Sequence, residues 1–248
     1  MTEKLRPRPH LVGLTVTVAL CACLGLTRSA GAKTFDVVLS PPTESSPEAK
    51  KLLDKVQARY AKIAGLHARF HQELTSATLG QTDIAEGECW FAKPGKMRWA
   101  YDRPSTQLMV SDGKTLWFYE PDKEQVTKTD IDPAMLDQVP TGFLNGTGTL
   151  TEGYVAVLPK LELPPKDGIA VDLTPQKPAP FEKLRVVVEP TTSLVTEITI
   201  YDPFGNVNRL TFTEIEPGVA KDTAFFQFTT PEGVREMAPP MPPSGLPQ

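Results

Sequence analysis

The chain has 248 residues, 40% of them hydrophobic, which is enough material for a sizeable core in one or two domains. It contains 26 basic and 30 acidic side chains, so its formal net charge at pH 7 is −4. An acidic chain lacks the basic patch of a nucleic-acid-binding protein and gains no attraction to anionic membrane surfaces, so neither function is expected.

The first 32 residues have the pattern of a secretory signal peptide. A basic leader at residues 4–8 precedes an uncharged run at 11–26, and residues 30–32 form an A-x-A cleavage signal. The alternative is a membrane anchor, but the uncharged run is short for a span of about 20 residues. We therefore predict cleavage near Ala32 and export to the periplasm. Cleavage would remove four basic residues and one acidic residue, which changes the net charge from −4 to −7.

Two of the three cysteines lie within this leader. The segment at residues 20–23 resembles a lipobox, so lipidation of Cys23 is an alternative fate of the N-terminus. Only Cys89 remains after cleavage, and one cysteine forms no internal disulfide even in an oxidising compartment. We interpret Cys89 as a small buried hydrophobic residue of a strand rather than a catalytic thiol.

A helix is predicted after a flexible, proline-bearing lead-in at residues 33–46. Ser46 is a suitable N-cap, and Pro47 suits the first helical position. Apolar residues then recur every three or four positions, and Gly65 is a typical stop. The pattern predicts an amphipathic helix over residues 47–64, whose apolar stripe must cover another element.

Short strands and turns follow this helix. A second, weaker helix is predicted over residues 133–144, although Pro140 is unfavourable in its interior. The tail at residues 238–248 is rich in proline and is predicted to be disordered. Strands are predicted at residues 66–77, 85–92, 96–101, 107–111, 114–119, 125–129, 154–158, 169–173, 184–188, 195–201, 207–215 and 225–228.

The dipeptide Asp112-Gly113 between two apolar runs indicates a β-hairpin. With a two-residue turn, Val110 would pair with Thr115, and Leu108 would pair with Trp117. Both faces of this hairpin are apolar, so the pattern does not tell which face looks inward.

About eleven short strands with close turns are typical of one large antiparallel sheet. A sheet this wide must curl, and the two amphipathic helices are expected to lie in its concave face. No internal repeat or linker divides the chain. The sequence therefore predicts one mainly β (α+β) domain over residues 47–237.

Several segments make this sequence resemble a known family. Residues 87–99 read GECWFAKPGKMRW, and residues 110–119 read VSDGKTLWFY. Residues 66–70 are similar to the first strand of that family, and residues 226–234 are similar to its last strand and exit. Over about residues 48–237 the chain thus resembles the outer-membrane lipoprotein carrier protein family (LolA).

The resemblance implies an unclosed β-barrel whose helices form a lid over an apolar cavity. It also implies a periplasmic carrier that takes lipoproteins from an inner-membrane ABC exporter to an outer-membrane acceptor lipoprotein. We expect a monomer that needs no cofactor and no metal. The role is physically coherent, because exposing an acyl chain of about ten methylenes to water costs roughly 8 kcal/mol.

The family holds its lid closed with an arginine directly before the motif proline, and Lys93 occupies that position here. Lysine keeps the charge but lacks the planar fork of a guanidinium group. The resemblance therefore implies that Lys93 is a weaker latch between sheet and lid. The alternative is a solvated lysine before a turn.

Eight side chains are predicted to line the cavity. Met97, Trp99 and Tyr101 alternate along one strand and therefore share a face. Ordinary core packing is the alternative for each aromatic residue. The full set of candidates is Trp90, Met97, Trp99, Tyr101, Leu108, Val110, Trp117 and Tyr119.

The residues do not form a recognisable enzyme site. His67 and His71 are spaced by four, but on a strand they would lie about 13 Å apart. Ala68 stands where a zinc protease would carry its glutamate. The sequence has no Gly-x-Ser-x-Gly elbow and no phosphate-binding glycine loop. A pair of catalytic carboxylates stays open, and we predict a carrier rather than an enzyme.

Three related functions remain as alternatives. A regulatory protein of the same fold senses mislocalised lipoprotein, but it carries a second domain, whereas only a proline-rich tail follows residue 237 here. A membrane-anchored acceptor would need a lipid on Cys23. A glycolipid carrier of related fold would be recognised by the lipid it binds.

Overall fold

The computed structural model describes residues 42–131, 141–219 and 221–239. The predicted signal peptide, its cleavage near Ala32 and the lipidation of Cys23 lie outside these residues. Most of the lead-in at 33–46 and of the tail at 238–248 also lies outside them.

Helix α1 spans Pro47–Ala61 and begins where the sequence predicts. The Ser46 hydroxyl accepts a hydrogen bond from the backbone N–H of Ala49 at 3.2 Å, which satisfies one of the free donors of the first turn. The helix ends before the predicted residue 64, because the chain turns directly into a strand at Gly65. Its buried side chains are Ala49, Leu53, Val56 and Tyr60.

Within the described residues, twelve strands form one sheet in the order β12-β6-β5-β4-β3-β2-β1-β11-β10-β9-β8-β7. All neighbours pair antiparallel except β12, which runs parallel to β6. Since β12 and β7 are the two outer strands, the sheet is not closed, and the predicted unclosed, curved, mainly β fold is confirmed. The strands are β1 Gly65–Ser76, β2 Gln81–Ala92, β3 Lys96–Arg103, β4 Gln107–Asp112, β5 Thr115–Glu120, β6 Gln125–Asp130, β7 Tyr154–Val157, β8 Ile169–Pro175, β9 Lys183–Val188, β10 Val195–Tyr201, β11 Val207–Pro217 and β12 Arg235–Met237.

The register of the strands assigns every side chain to one of two faces. Ala68, Cys89, Trp99 and Met109 lie opposite one another in consecutive strands and therefore share a face. We call this the concave face, because Tyr60 of α1 packs against it. The opposite face is called convex. The main hydrophobic core lies between the concave face and the helices.

The β4–β5 hairpin has a longer turn than predicted. Val110 lies opposite Trp117, and Leu108 lies opposite Tyr119, so the predicted pairing is wrong by two residues. The Asp112 carboxylate accepts two backbone N–H bonds of the turn, each 2.8 Å long, and these close a wider loop. A shift of two residues leaves every side chain on its original face.

The described part of the predicted second helix is one short turn. Helix α2 spans Gly142–Asn145, and residues 133–140 lie outside the described chain. Phe143 of α2 is buried and meets Tyr60 of α1 edge to face, with 5.1 Å between the ring centroids. In the described residues, no helix has the length and apolar character required to cross a bilayer.

The predicted last strand at residues 225–228 is wrong. Residues Thr223–Phe226 form a 3-10 helix, because the Asp222 carboxylate accepts the N–H of Phe225 at 2.9 Å and starts a helical turn. This segment packs on the convex side of β3 and β4, where Phe226 is buried. The chain then forms β12, a three-residue exposed strand that the sequence did not predict.

Close packing of the first three strands depends on Gly87. A methyl group at this position would lie 2.0 Å from the carbonyl oxygen of Ala100 and 3.0 Å from the ring of Phe70. We expect Gly87→Ala to lower the free energy of unfolding by about 1–3 kcal/mol, as overpacking does, measured by urea titration. Gly148→Ala is the control, since its methyl group would meet nothing closer than 3.5 Å. Equal losses in both variants would contradict this account.

Candidate functional site

The concave face carries an apolar hollow under the two helices. It is lined by Tyr60 of α1, Leu144 of α2 and five residues of the sheet side, Leu66, Ala68, Val195, Phe212 and Ile215. These side chains pack closely, and the space between them leaves no room for a water molecule. A guest as wide as a hydrocarbon chain can therefore enter only if the helices move away from the sheet.

An aromatic cluster adjoins this hollow. The ring of Trp99 lies 4.9 Å from Phe70, 5.5 Å from Phe91 and 6.2 Å from Phe212, between centroids. Tyr101 meets Phe70 at 5.0 Å, and burial raises the pKa of its hydroxyl to about 12. The cluster extends the apolar surface from β11 across β1 and β2 to β3.

Three of the eight candidate residues lie on this concave surface. Trp99 is buried in the core, and Met97 and Tyr101 are half-buried against it. They share the face because they alternate along β3, as predicted. Whether they contact a lipid stays a prediction.

The other five candidates lie on the convex face and do not border the hollow: Trp90, Leu108, Val110, Trp117 and Tyr119. The C-terminal segment covers much of this group. Trp90 meets Phe225 at 5.2 Å, and Tyr119 meets Phe228 at 5.4 Å between ring centroids. Arg98 alternates with Met97 and Trp99 along β3 and lies directly opposite both Trp90 and Val110, which places these two candidates on the face away from the hollow.

Lys93 joins the sheet to both helices. Its Nζ donates a hydrogen bond to the carbonyl oxygen of Tyr60 in the last turn of α1. Its aliphatic stem packs against Gly146 at the end of α2, so closely that a methyl group there would lie 3.0–3.1 Å from the stem. The loop after Lys93 adds a bond from the Gly95 N–H to the Asn145 carbonyl at 3.0 Å. Desolvation between these elements lowers the pKa of the Lys93 amine.

The wall of the hollow includes residues that sequence reasoning did not select. Tyr60 belongs to the apolar stripe of α1, and Phe212 belongs to the alternating buried positions of β11, so both patterns were visible in the sequence. Tyr60 also accepts the N–H of Val195 on its hydroxyl at 3.2 Å, and burial raises the pKa of that hydroxyl to about 12. This bond ties the end of α1 to β10.

The remaining reactive side chains are accounted for by local structure. Cys89 is fully buried, its thiol donates to the Ala68 carbonyl at 3.5 Å, and burial raises its pKa. His67 and His71 lie on the convex face and pair with Glu88 at 3.0 Å and Glu86 at 3.1 Å. Among residues 42–131, 141–219 and 221–239, no group of three acidic, histidine or cysteine side chains could hold a metal ion.

A larger open groove of about 810 Å³ lies between the β8–β9 loop and Tyr201. It shares no lining residue with the hollow, and its lining mixes prolines with Lys177, Glu182 and Lys183. The hollow, whose lining residues are apolar apart from the Tyr60 hydroxyl, is therefore the better candidate for a site that holds an apolar guest.

Comparisons with known proteins identify similar chains. Residues 61–229 match the family described as outer membrane lipoprotein carrier protein LolA. The outer-membrane lipoprotein carrier protein of Nitrosomonas europaea is 32% identical over 200 residues, which cover 81% of this chain and 95% of that one. The corresponding protein of Chromobacterium violaceum is 32% identical over 193 residues, covering 77% and 89%. A solved LolA superfamily protein from Nitrosomonas europaea has a TM-score of 0.41 at 13% identity and covers 73% of this chain and 97% of its own.

Proposed function

The chain belongs to the family of outer membrane lipoprotein carrier proteins, LolA, and we propose that it holds lipoprotein acyl chains against the concave face, beneath α1 and α2. The observation that carries this proposal is the apolar hollow between Tyr60, Leu144 and the sheet. A carrier needs an apolar surface that is covered when empty and can be exposed to a lipid. The apolar surface of the hollow is covered in this structure, and the proposal requires that movement of the helices exposes it.

The closed hollow must open for loading, because its gaps are narrower than a water molecule. Burying an acyl chain recovers about 0.8 kcal/mol per methylene, which is the free energy available to displace the helices. Helices α1 and α2, of 15 and 4 residues, lie over the concave face and are not part of the sheet. They can therefore separate from it without breaking its strand pairing. The sheet is thus the rigid part of the proposed site.

Lys93 is the proposed latch of the closed form. It bonds the Tyr60 carbonyl at the end of α1 and packs on Gly146 at the end of α2. Both contacts would be lost when the helices move away from the sheet. The latch therefore favours the empty, closed form and promotes release of the lipid.

The proposal extends to the route of the cargo. An inner-membrane ABC exporter would load the lipoprotein, and an outer-membrane acceptor lipoprotein would receive it. The carrier would cross the periplasm as a monomer after removal of residues 1–32. Transfer from one apolar site to another breaks no covalent bond, so the proposed role requires no catalytic residue and no cofactor.

Depletion of the protein in its own cell tests the carrier role. We expect outer-membrane lipoproteins to accumulate in the inner-membrane fraction, and the wild-type chain supplied in trans to restore them. Membrane fractionation followed by lipoprotein detection measures this distribution. An unchanged distribution after depletion would contradict the role. Lipid analysis of the purified protein identifies the cargo. A bound glycolipid, in place of an acylated lipoprotein, would indicate a glycolipid carrier.

A further inference from the structure

The indole N–H of Trp99 is a buried hydrogen-bond donor that has no acceptor within the described part of the chain. The residue is 3% exposed, so bulk water does not reach the donor. An unpaired buried donor costs about 1–3 kcal/mol, and folded proteins leave few of them. The Trp99 N–H is therefore a buried donor whose acceptor is not supplied by the surrounding side chains.

The surroundings of Trp99 are apolar. Three phenylalanine rings pack around it, as described above, and its cross-strand neighbours are Cys89 and Met109. The thiol of Cys89 is already engaged with the Ala68 carbonyl. These neighbours present carbon and sulfur to the indole ring, and a thioether is a weak acceptor at best.

Trp99 also lies next to the hollow. It belongs to the row of the concave face that begins at Ala68, which lines the hollow, and its ring contacts Phe212, which lines the hollow as well. A guest that displaces the helices and spreads over the concave face would thus reach the indole.

We propose that the Trp99 N–H donates a hydrogen bond to a carbonyl oxygen of the bound acyl group. The inference rests on the proposed function. An acyl chain is apolar except at its ester or amide carbonyl, which loses its water when the chain enters an apolar site. The unpaired donor and the desolvated acceptor satisfy each other, whereas a simple alkyl chain would leave the donor unpaired. Trp99 therefore makes the site specific for acyl chains over alkyl chains of the same length.

Three synthetic lipopeptides test this specificity with the mature chain. They share one cysteine-bearing peptide and chain length, and they carry two ester-linked chains, two ether-linked chains, or two ether-linked chains with an N-acetyl group, which adds an amide carbonyl but almost no apolar surface. Calorimetry or competition with a fluorescent lipid measures each affinity. We expect the wild type to bind the diester or the N-acetylated diether about 5- to 10-fold more tightly than the plain diether, the factor a neutral hydrogen bond supplies. The tighter of the two shows whether the acceptor is an ester or an amide.

Trp99→Phe removes the N–H and keeps an aromatic ring. We expect this variant to bind the three lipopeptides with nearly equal affinities. Comparing ligands within one variant removes the effect of any general loss of packing. Trp90→Phe is the matched control on the convex face and should keep the wild-type ratio. An unchanged ratio in Trp99→Phe overturns the inference. Failure of the wild type to bind any of the three lipopeptides overturns the proposed function itself.

A second measurement uses the wild type alone and does not depend on how well Trp99→Phe folds. The chain has three tryptophans, so its ¹H–¹⁵N spectrum shows three indole N–H signals. The Trp99 signal, recognised as the one that is neither Trp90 nor Trp117, should move to lower field with the preferred acylated lipopeptide and stay in place with the plain diether. Equal movement with both ligands speaks against the bond.

Discussion

Replacing Lys93 with leucine is expected to tighten acyl-chain binding by about tenfold and to slow transfer to an acceptor by a similar factor. The variant loses the hydrogen bond from Nζ to the Tyr60 carbonyl but keeps an aliphatic stem against Gly146. A hydrogen bond from a charged group contributes about 1.5–3 kcal/mol, and partial exposure places this one near the lower end. In the proposed mechanism the bond exists only in the closed form, so its loss should shift the equilibrium toward the open form that would bind lipid.

The matched control is Lys96→Leu, which removes the same charge three residues away. Lys96 is half-buried on the convex side, opposite Asp112, whereas Tyr60 of α1 and Leu144 of α2 lie over the concave side. Affinity for a diester lipopeptide and the rate of transfer to acceptor protein on vesicles are the two measurements. Lys93→Arg should bind lipid no more tightly than the wild type, because guanidinium retains the donors. Identical affinities for the two leucine variants would disprove the latch.

Local signals in the sequence predicted most of the fold. The start of α1 follows from Ser46 and Pro47, and the bounds predicted for β10 agree with the structure. These features depend on capping and on alternation within one segment, which the sequence displays directly. The resemblance to the family added what local patterns do not contain, namely that the sheet stays unclosed and that Lys93 faces the helices.

The division of the cavity candidates between two faces could not be predicted from local patterns. Both faces of β4 and β5 are apolar, because the convex face is also covered, by the segment that contains Phe225, Phe226 and Phe228. That segment lies about a hundred residues further along the chain and was itself interpreted as a strand. A hydrophobic pattern shows that a side chain is covered, but it does not show which element covers it.

The unpaired hydrogen-bond donor of Trp99 is likewise a feature that local sequence patterns do not predict. The alternation along β3 groups Trp99 with Met97 and Tyr101 in the sequence, and the structure places this group on the concave face. Whether the Trp99 N–H finds an acceptor depends on the rings and strands around it, which come from β1, β2 and β11. Satisfaction of hydrogen bonds is a property of the assembled site.

A single charge on the concave face is expected to abolish acyl-chain binding, whereas the same charge on the convex face is not. Met109 and Leu108 are neighbours on β4, both half-buried, and they point to opposite faces. In Met109→Glu a carboxylate would lie beside Trp99 and Phe118, in the path of the acyl chain. Desolvating an unpaired carboxylate costs several kcal/mol, so we expect affinity for the diester lipopeptide to fall at least about 100-fold.

Leu108→Glu is the control, because it introduces the same charge one residue away. We expect its affinity to stay within about twofold of the wild type, since its side chain faces away from the hollow and the new charge lies off the proposed path of the acyl chain. Circular dichroism and urea unfolding establish that both variants are folded before lipid is added. The depletion experiment then separates them in the cell, since only Leu108→Glu should return lipoproteins to the outer membrane. The opposite result, with binding lost in Leu108→Glu and kept in Met109→Glu, would place the acyl chains on the convex face and reject the proposed site.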